Sequence, residues 1–139
     1  MKITDIKAYV IPRVAQEPLF HWRKGIPTEG DGTPPGQTTY SGLLKVETDE
    51  GIIGHAGSRR AHYLADLVRR RLKPLFVGAD PLLTEDLWTR IWELDRLEEL
   101  TVHELGMLDI ACWDIKSQKA QLPVYRLVGG NDPKIPAYA

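Results

Sequence analysis

The hydrophobic repeat of this 139-residue chain changes once, near Ser58, and that change limits what it can fold into. Before it, apolar and polar residues alternate: Leu44, Val46 and Thr48 share one face, while Leu43, Lys45 and Glu47 share the other. After it, apolar residues recur every three or four positions. The first repeat suits a strand with one buried face, and the second an amphipathic helix. Strands first and helices second predict an α+β fold, a three-stranded antiparallel sheet followed by a three-helix bundle.

The β-branched opening, Ile3 to Ile11, predicts a first strand ended by Pro12. Residues 12 to 40 carry five prolines and no apolar period. Such a stretch is expected to be a functional loop or a disordered segment. Leu43 to Thr48, the turn Asp49-Glu50-Gly51 and Ile52 to Ala56 then read as a β-hairpin. Ser58 is placed as the cap of a first helix running to about Leu72. Its face is Leu64, Leu67, Val68, Leu72 and Leu75, and Pro74 and Gly78 end it. Asp80-Pro81 is expected to open a second helix with the stripe Leu83, Leu87, Ile91 and Leu94. Trp88 and Trp92 flank that stripe and are expected in the core or at an interface. A third helix spans about Thr101 to Ala120, with Val102, Leu105, Leu108, Cys112 and Ile115 inward. Trp113 is likewise placed in the core. Asp109, inside an apolar stretch, is expected to be tied to backbone or to a basic partner. Residues 134 to 139 read as the start of another strand.

Charge narrows the function classes. Lys and Arg total 18 against 19 Asp and Glu, a net charge of −1. That balance, with only Arg69-Arg70-Arg71 and Lys73 as a basic run, predicts no nucleic-acid partner. A single cysteine, Cys112, excludes an intramolecular disulfide framework. No apolar run approaches the roughly 20 residues that span a bilayer, and no apolar leader opens the chain. A cytoplasmic location and no membrane partner are expected. The length is also short of the roughly 250 residues of a complete (β/α)8 barrel.

Three segments together carry a resemblance. They are Lys2-Ile3-Thr4-Asp5-Ile6, then Leu44 to His55, then Leu108-Asp109-Ile110-Ala111-Cys112-Trp113-Asp114-Ile115-Lys116 with Leu122-Pro123-Val124-Tyr125-Arg126-Leu127-Val128-Gly129-Gly130. In order and spacing the chain resembles the N-terminal capping domain of the enolase superfamily, in its mandelate racemase/muconate lactonizing branch. The resemblance implies a capping domain over residues 1–130. It also implies a linker and the start of a first barrel strand over 131–139, with the rest of the (β/α)8 barrel missing. The parent would abstract a proton next to a carboxylate, as a dehydratase or racemase of an acid sugar or hydroxy acid, with Mg²⁺ on the enediolate. The Mg²⁺ ligands would lie in the absent barrel, so this chain is expected to hold no metal, no catalytic residue and no activity alone. Expected partners are the chain's own barrel, a small anionic substrate and further copies in a homo-oligomer. The alternative is a stand-alone interaction domain that keeps the fold without chemistry.

Two loops of such a cap close over the barrel mouth and select substrate. Here they are roughly Val14 to Thr39 and His55 to Arg60. The resemblance therefore singles out His21, Trp22 and Arg23 in the first loop, beside Phe20, as lid residues. In the second it singles out His55, as a hydrogen-bond donor, and Arg59 and Arg60. An arginine there can grip a carboxylate through two parallel hydrogen bonds. It also sits at a helix N-terminus, where the helix dipole disfavours a cation.

Overall fold

The computed structural model describes residues 1–17, 33–98, 102–132 and 134. Residues 18–32 of the long loop, and with them Phe20, His21, Trp22 and Arg23, lie outside the described residues, as do Thr101 and nearly all of the 134–139 segment. Three antiparallel strands form one sheet in the order β1-β2-β3: β1 is Ile3–Val14, β2 is Thr38–Thr48 and β3 is Ile53–Ser58. Ile6 pairs with Val46, and Val46 with Gly54. The alternation read from the hairpin holds: Leu44, Val46 and Thr48 are buried, and Leu43, Lys45 and Glu47 are half-buried on the other face.

Pro12 does not end β1. It continues to Val14, with Pro12 opposite Tyr40. β1 is an edge strand, where a missing N–H need not break a ladder bond.

The helices are α1 (Ala61–Leu67), α2 (Lys73–Phe76), α3 (Thr84–Glu98), α4 (Val102–Ala120) and α5 (Val124–Leu127). A π-helical turn over Val68–Leu72 joins α1 to α2. Pro74, expected to stop the first helix, instead sits just beyond this turn. It has no N–H for the carbonyl of Arg70, four residues back. The wider turn accommodates the ring, and the Arg71 guanidinium donates to that carbonyl at 3.2 Å. The extra residue in the turn also advances the apolar stripe by one. Phe76 enters the core with Leu64, Leu67, Val68 and Leu72, while Leu75, expected there, stays 47% exposed.

Other helix starts shift as well. Ser58 belongs to β3, and Arg60 takes the cap position of α1 without a side-chain cap bond. Asp80 does not cap a helix at Pro81; its carboxylate accepts from the Leu82 N–H at 2.9 Å, and α3 begins at Thr84. Leu87, Ile91 and Leu94 are buried as expected, but Leu83 and Val102 are exposed. Trp88 and Trp92 are exposed too, because those three aliphatic side chains already fill the space under α3. Trp113 is half-buried rather than core, with the Lys116 ammonium 4.5 Å from its ring centroid.

One core holds the sheet and helices together. It draws on Ile3 and Ile6, Leu44 and Val46, the α1 and α3 stripes, and Leu105, Leu108, Ala111, Cys112 and Ile115 of α4. Segment and sheet are also sewn by backbone: the Ile3 N–H donates to Ala79 O at 2.9 Å, and the Gly78 N–H to Ile3 O at 2.8 Å. Lys73 bridges to Asp5 at 2.6 Å and holds that carboxyl below its ordinary pKa. Burial, with Asp109 nearby, raises the Cys112 thiol to about 12, so it is a packed apolar group and not a nucleophile.

β3 lies directly on α4. A Cβ at Gly54 would fall 2.1 Å from Ala111 O and 2.8 Å from Ile115 Cγ1. Side chains of α4 then strap the strand from outside. The Asp114 carboxylate accepts from the His55 N–H at 2.9 Å, and the Gln118 amide donates to Ile53 O at 2.7 Å. At the far end Lys119 pairs with Glu50 in the hairpin turn. Asp109 is the exception in this helix: among the described residues its carboxylate accepts no hydrogen bond, contrary to the tie expected. Burial first, and then the nearby Glu85, push its pKa above the ordinary 3.8, while Lys116 opposes them.

Two outcomes follow from this packing. Gly54→Ala should lower unfolding stability in urea by about 3 kcal/mol or more, since a backbone carbonyl must move, whereas Gly57→Ala, with nothing within 4 Å of its added carbon, should change it little. The raised Asp109 pKa means that its ionisation opposes folding at every pH above that value. The opposition fades as pH falls through the raised value toward the ordinary one. Asp109→Asn should therefore raise the urea midpoint near neutral pH, with the gain vanishing in the acid range; a gain that persists there would exclude the ionised carboxyl as its source.

Candidate functional site

β3 runs into α1 through two consecutive arginines. Ser58 closes the strand with its side chain buried, and its hydroxyl accepts from the Arg60 N–H at 3.0 Å. The Arg60 carbonyl in turn accepts from the Leu64 N–H at 2.9 Å, the first bond of the helix. The strand-to-helix corner is tight because Gly42, opposite Ser58 in the register, has no side chain. A Cβ there would lie 3.0 Å from Ala61 Cα and 3.1 Å from Leu64 Cδ2. α1 can thus start directly over β2.

The first turns of α4 stand across from this corner. Between them lies an open cleft of about 650 Å³. Its floor is the ends of the two strands, Ser41 and Gly42 from β2 with Gly57 and Ser58 from β3. Arg59 lines it from the corner, and His103 and Met107 from α4. The volume falls within the range of roughly 300–1,000 Å³ typical of small-molecule sites. His103 places the N-terminal end of the 19-residue α4 at the cleft, and the positive end of a helix dipole favours an anion.

The two arginines have different surroundings. Arg60 Nε is 3.7 Å from Glu104 Oε1, and Glu104 is only 1% exposed. Glu104 sits in the first turn of α4, where the helix dipole favours an acid. It also offsets the unfavourable position of Arg60 at the start of α1. Arg60 therefore joins α1 to α4, while Arg59 is the arginine that borders the cleft. Beside the corner, Tyr40 of β2 packs edge-on against His62 of α1, with ring centroids 4.9 Å apart.

His55 lies three residues before Ser58 on β3 and is not part of the cleft wall. Its Nδ1 is 3.8 Å from Asp114 Oδ2, and its side chain is 48% exposed. The structure thus brings Arg59 and Arg60 together and sets His55 apart. His103, Met107 and Glu104 were not singled out from sequence. Glu104 and His103 carry no local signal, since their positions depend on where α4 meets the corner; Met107 lies one residue off the stripe assigned to the helix. Among the described residues no three His, Cys, Asp or Glu side chains converge to hold a metal ion. Among them, too, no helix is long and apolar enough to cross a membrane.

Comparison with known proteins places this geometry. Residues 32–129 match the family model of the mandelate racemase / muconate lactonizing enzyme N-terminal domain. A D-galactonate dehydratase family member of Streptomyces bingchenggensis is 33% identical over 103 residues, covering 70% of this chain and 25% of that protein. An arabinonate dehydratase of Saccharolobus solfataricus is 28% identical over 143 aligned positions, covering 98% of this chain and 36% of that protein. The structure of D-glucarate dehydratase from Agrobacterium tumefaciens, complexed with magnesium, superposes with a TM-score of 0.75 at 25% identity, over 94% of this chain and 33% of that one. The chain thus spans about a quarter to about a third of the length of these relatives.

Proposed function

The chain belongs to the mandelate racemase/muconate lactonizing enzyme N-terminal domain family, and on that footing we propose that it caps the barrel of a dehydratase acting on a sugar-acid anion. Residues 1–130 form the cap, and the residues after them lead into the barrel. The observation that carries this reading is the cleft between the β3–α1 corner and the start of α4, with Arg59 on its wall. A carboxylate in that cleft meets a guanidinium, two backbone strand ends and the positive end of α4. By their names one relative is a D-galactonate dehydratase family member and the others are an arabinonate dehydratase and a D-glucarate dehydratase, and all three names refer to polyhydroxylated carboxylates.

The chain's own residues bind and orient rather than react. Arg59 holds the substrate carboxylate, and Met107 with the strand ends shields it from water. His103 offers a hydrogen-bonding edge to the hydroxyl-bearing carbons. Arg60 and Glu104 keep the corner and α4 at a fixed separation, so the cleft width is set before substrate arrives. His55 and the loop residues His21, Trp22 and Arg23 complete the cover. Closure excludes water and strengthens the electrostatics in the barrel mouth. Magnesium would stabilise the enediolate that forms when a proton leaves the carbon beside the carboxylate. The described residues do not fit a magnesium site, so its ligands are assigned to the barrel and no step is placed on this chain. Alone, the chain turns nothing over.

The barrel-bearing enzyme, assayed with magnesium against a panel of sugar acids, tests this. Dehydration of at least one of them is expected. Arg59→Ala should lower kcat/KM by about 10- to 100-fold, mainly through KM, as loss of a charge-assisted hydrogen bond of roughly 1.5–3 kcal/mol implies. Unchanged kinetics would remove the cleft from the substrate site. Failure to dehydrate any sugar acid would overturn the reaction class.

A further inference from the structure

β3 is a margin of the sheet, and its outward backbone groups form a row. In an antiparallel sheet, residue pairs alternate between those that exchange hydrogen bonds and those whose backbone groups point away from each other. The phase is fixed at the far end of β2. There the Ala15 N–H donates to Gln37 O at 2.8 Å, continuing the register of Arg13 with Thr39. The odd-numbered residues of β2 therefore bond to β1, while Gly42, Leu44 and Val46 bond to β3. Ile53, His55 and Gly57 stand opposite odd-numbered residues, so their N–H and C=O groups turn outward. The straps from α4 agree: Gln118 takes the Ile53 carbonyl and Asp114 the His55 N–H.

Gly57 is third in this row and has no strap. Gln118 and Asp114 lie four residues apart on α4; four residues earlier the helix carries Ile110, whose side chain neither donates nor accepts. Among the described residues neither the Gly57 N–H nor its carbonyl has a partner. Yet Gly57 borders the cleft with Arg59, His103 and Met107, where closure would shut out water and leave both groups in need of one. The fold does not itself require a glycine at this point. Its φ is not left-handed, and an added Cβ would meet nothing within 4 Å. Glycine also weakens a strand. What the missing side chain provides is room for another molecule to approach the backbone.

We propose that Gly57 is a specificity-determining residue whose N–H and C=O hold neighbouring hydroxyls of the sugar-acid chain, one accepting and one donating. A carboxylate only accepts, so it is matched to Arg59 and not to a carbonyl, whereas a hydroxyl does both. Dehydration takes the hydrogen from the carbon beside the carboxylate and releases the hydroxyl of the next carbon as water. The hydroxyls read at Gly57 are those further along. The inference rests on the reading of the cleft as a substrate site.

The barrel-bearing enzyme with magnesium tests it, assayed on the sugar acid it dehydrates and on single-deoxy forms of that acid beyond the reacting carbons. The wild type should lose about tenfold in kcat/KM on at least one deoxy form. Gly57→Ala should raise KM for the parent acid by about five- to tenfold and leave kcat within about twofold. Gly57→Pro should raise KM further, since it also removes the N–H without breaking a ladder bond. On the deoxy form both variants should approach the wild type, because the contact they disturb is already gone. Thermal melts separate lost binding from lost folding, and if Gly57→Pro does not fold, Gly57→Ala decides. A KM and a deoxy profile indifferent to both variants would overturn the proposal. So would equal losses on parent and deoxy acids, which would give these backbone groups to the barrel. In either case an Arg59→Ala enzyme with raised KM leaves the capping reading standing. If no sugar acid is turned over, the reading and the proposal fall together.

Discussion

A strand and a helix of this chain meet backbone to backbone at Gly54, and the remaining architecture is arranged around that contact. With Ala111 O only 2.1 Å from where a Cβ would stand, no other residue lets β3 settle on α4 at this depth. The rest of α4 is then positioned as a lever. One end reaches the hairpin turn through Lys119 and Glu50. The other brings His103 and Met107 to the strand ends, where they become the second wall of the cleft, and Glu104 to Arg60. The core residues Leu105, Leu108, Cys112 and Ile115 follow along the same helix. Packing at such short range tolerates little change in volume, so a single hydrogen atom in place of a side chain is required here.

Consecutive arginines illustrate how neighbours in sequence acquire separate duties. Both sit where the helix dipole disfavours them. Glu104, buried on the facing helix, compensates Arg60 and makes it part of the frame. Arg59 lies one residue nearer the strand and lines the cleft. Neighbouring residues of a single corner thus differ in setting, one placed 3.7 Å from a buried acid and the other bordering the cleft.

Much of the fold was legible because burial imposes a period. The hairpin alternation and the aliphatic stripes of α1, α3 and α4 follow directly from which faces meet the core. What misled were rules that hold locally and yield to tertiary context. Pro12 lies on an edge, so its missing N–H interrupts nothing. Pro74 is absorbed by a π turn, which in turn exchanges Leu75 for Phe76 in the core. Of the two places expected for Trp88 and Trp92, core or interface, the core is excluded because Leu87, Ile91 and Leu94 already occupy the interior beneath α3. At the site, Arg59 and Arg60 were legible as a charged pair after a hairpin. Their partners on α4 were not, because nothing in a lone His103 or Glu104 announces which corner it will face. The family resemblance supplied what periodicity could not, since it drew attention to the residues after the hairpin.

The straps from α4 to β3 have a further meaning. A strand at the margin of a sheet offers a row of backbone groups on which another chain can add a strand. Here Asp114 takes the His55 N–H and Gln118 takes the Ile53 carbonyl, so that margin is already engaged by its own helix. A foreign strand therefore finds two of the backbone groups on that side already taken. Two polar side chains on one helix thereby cover part of an edge on which another chain could otherwise add a strand.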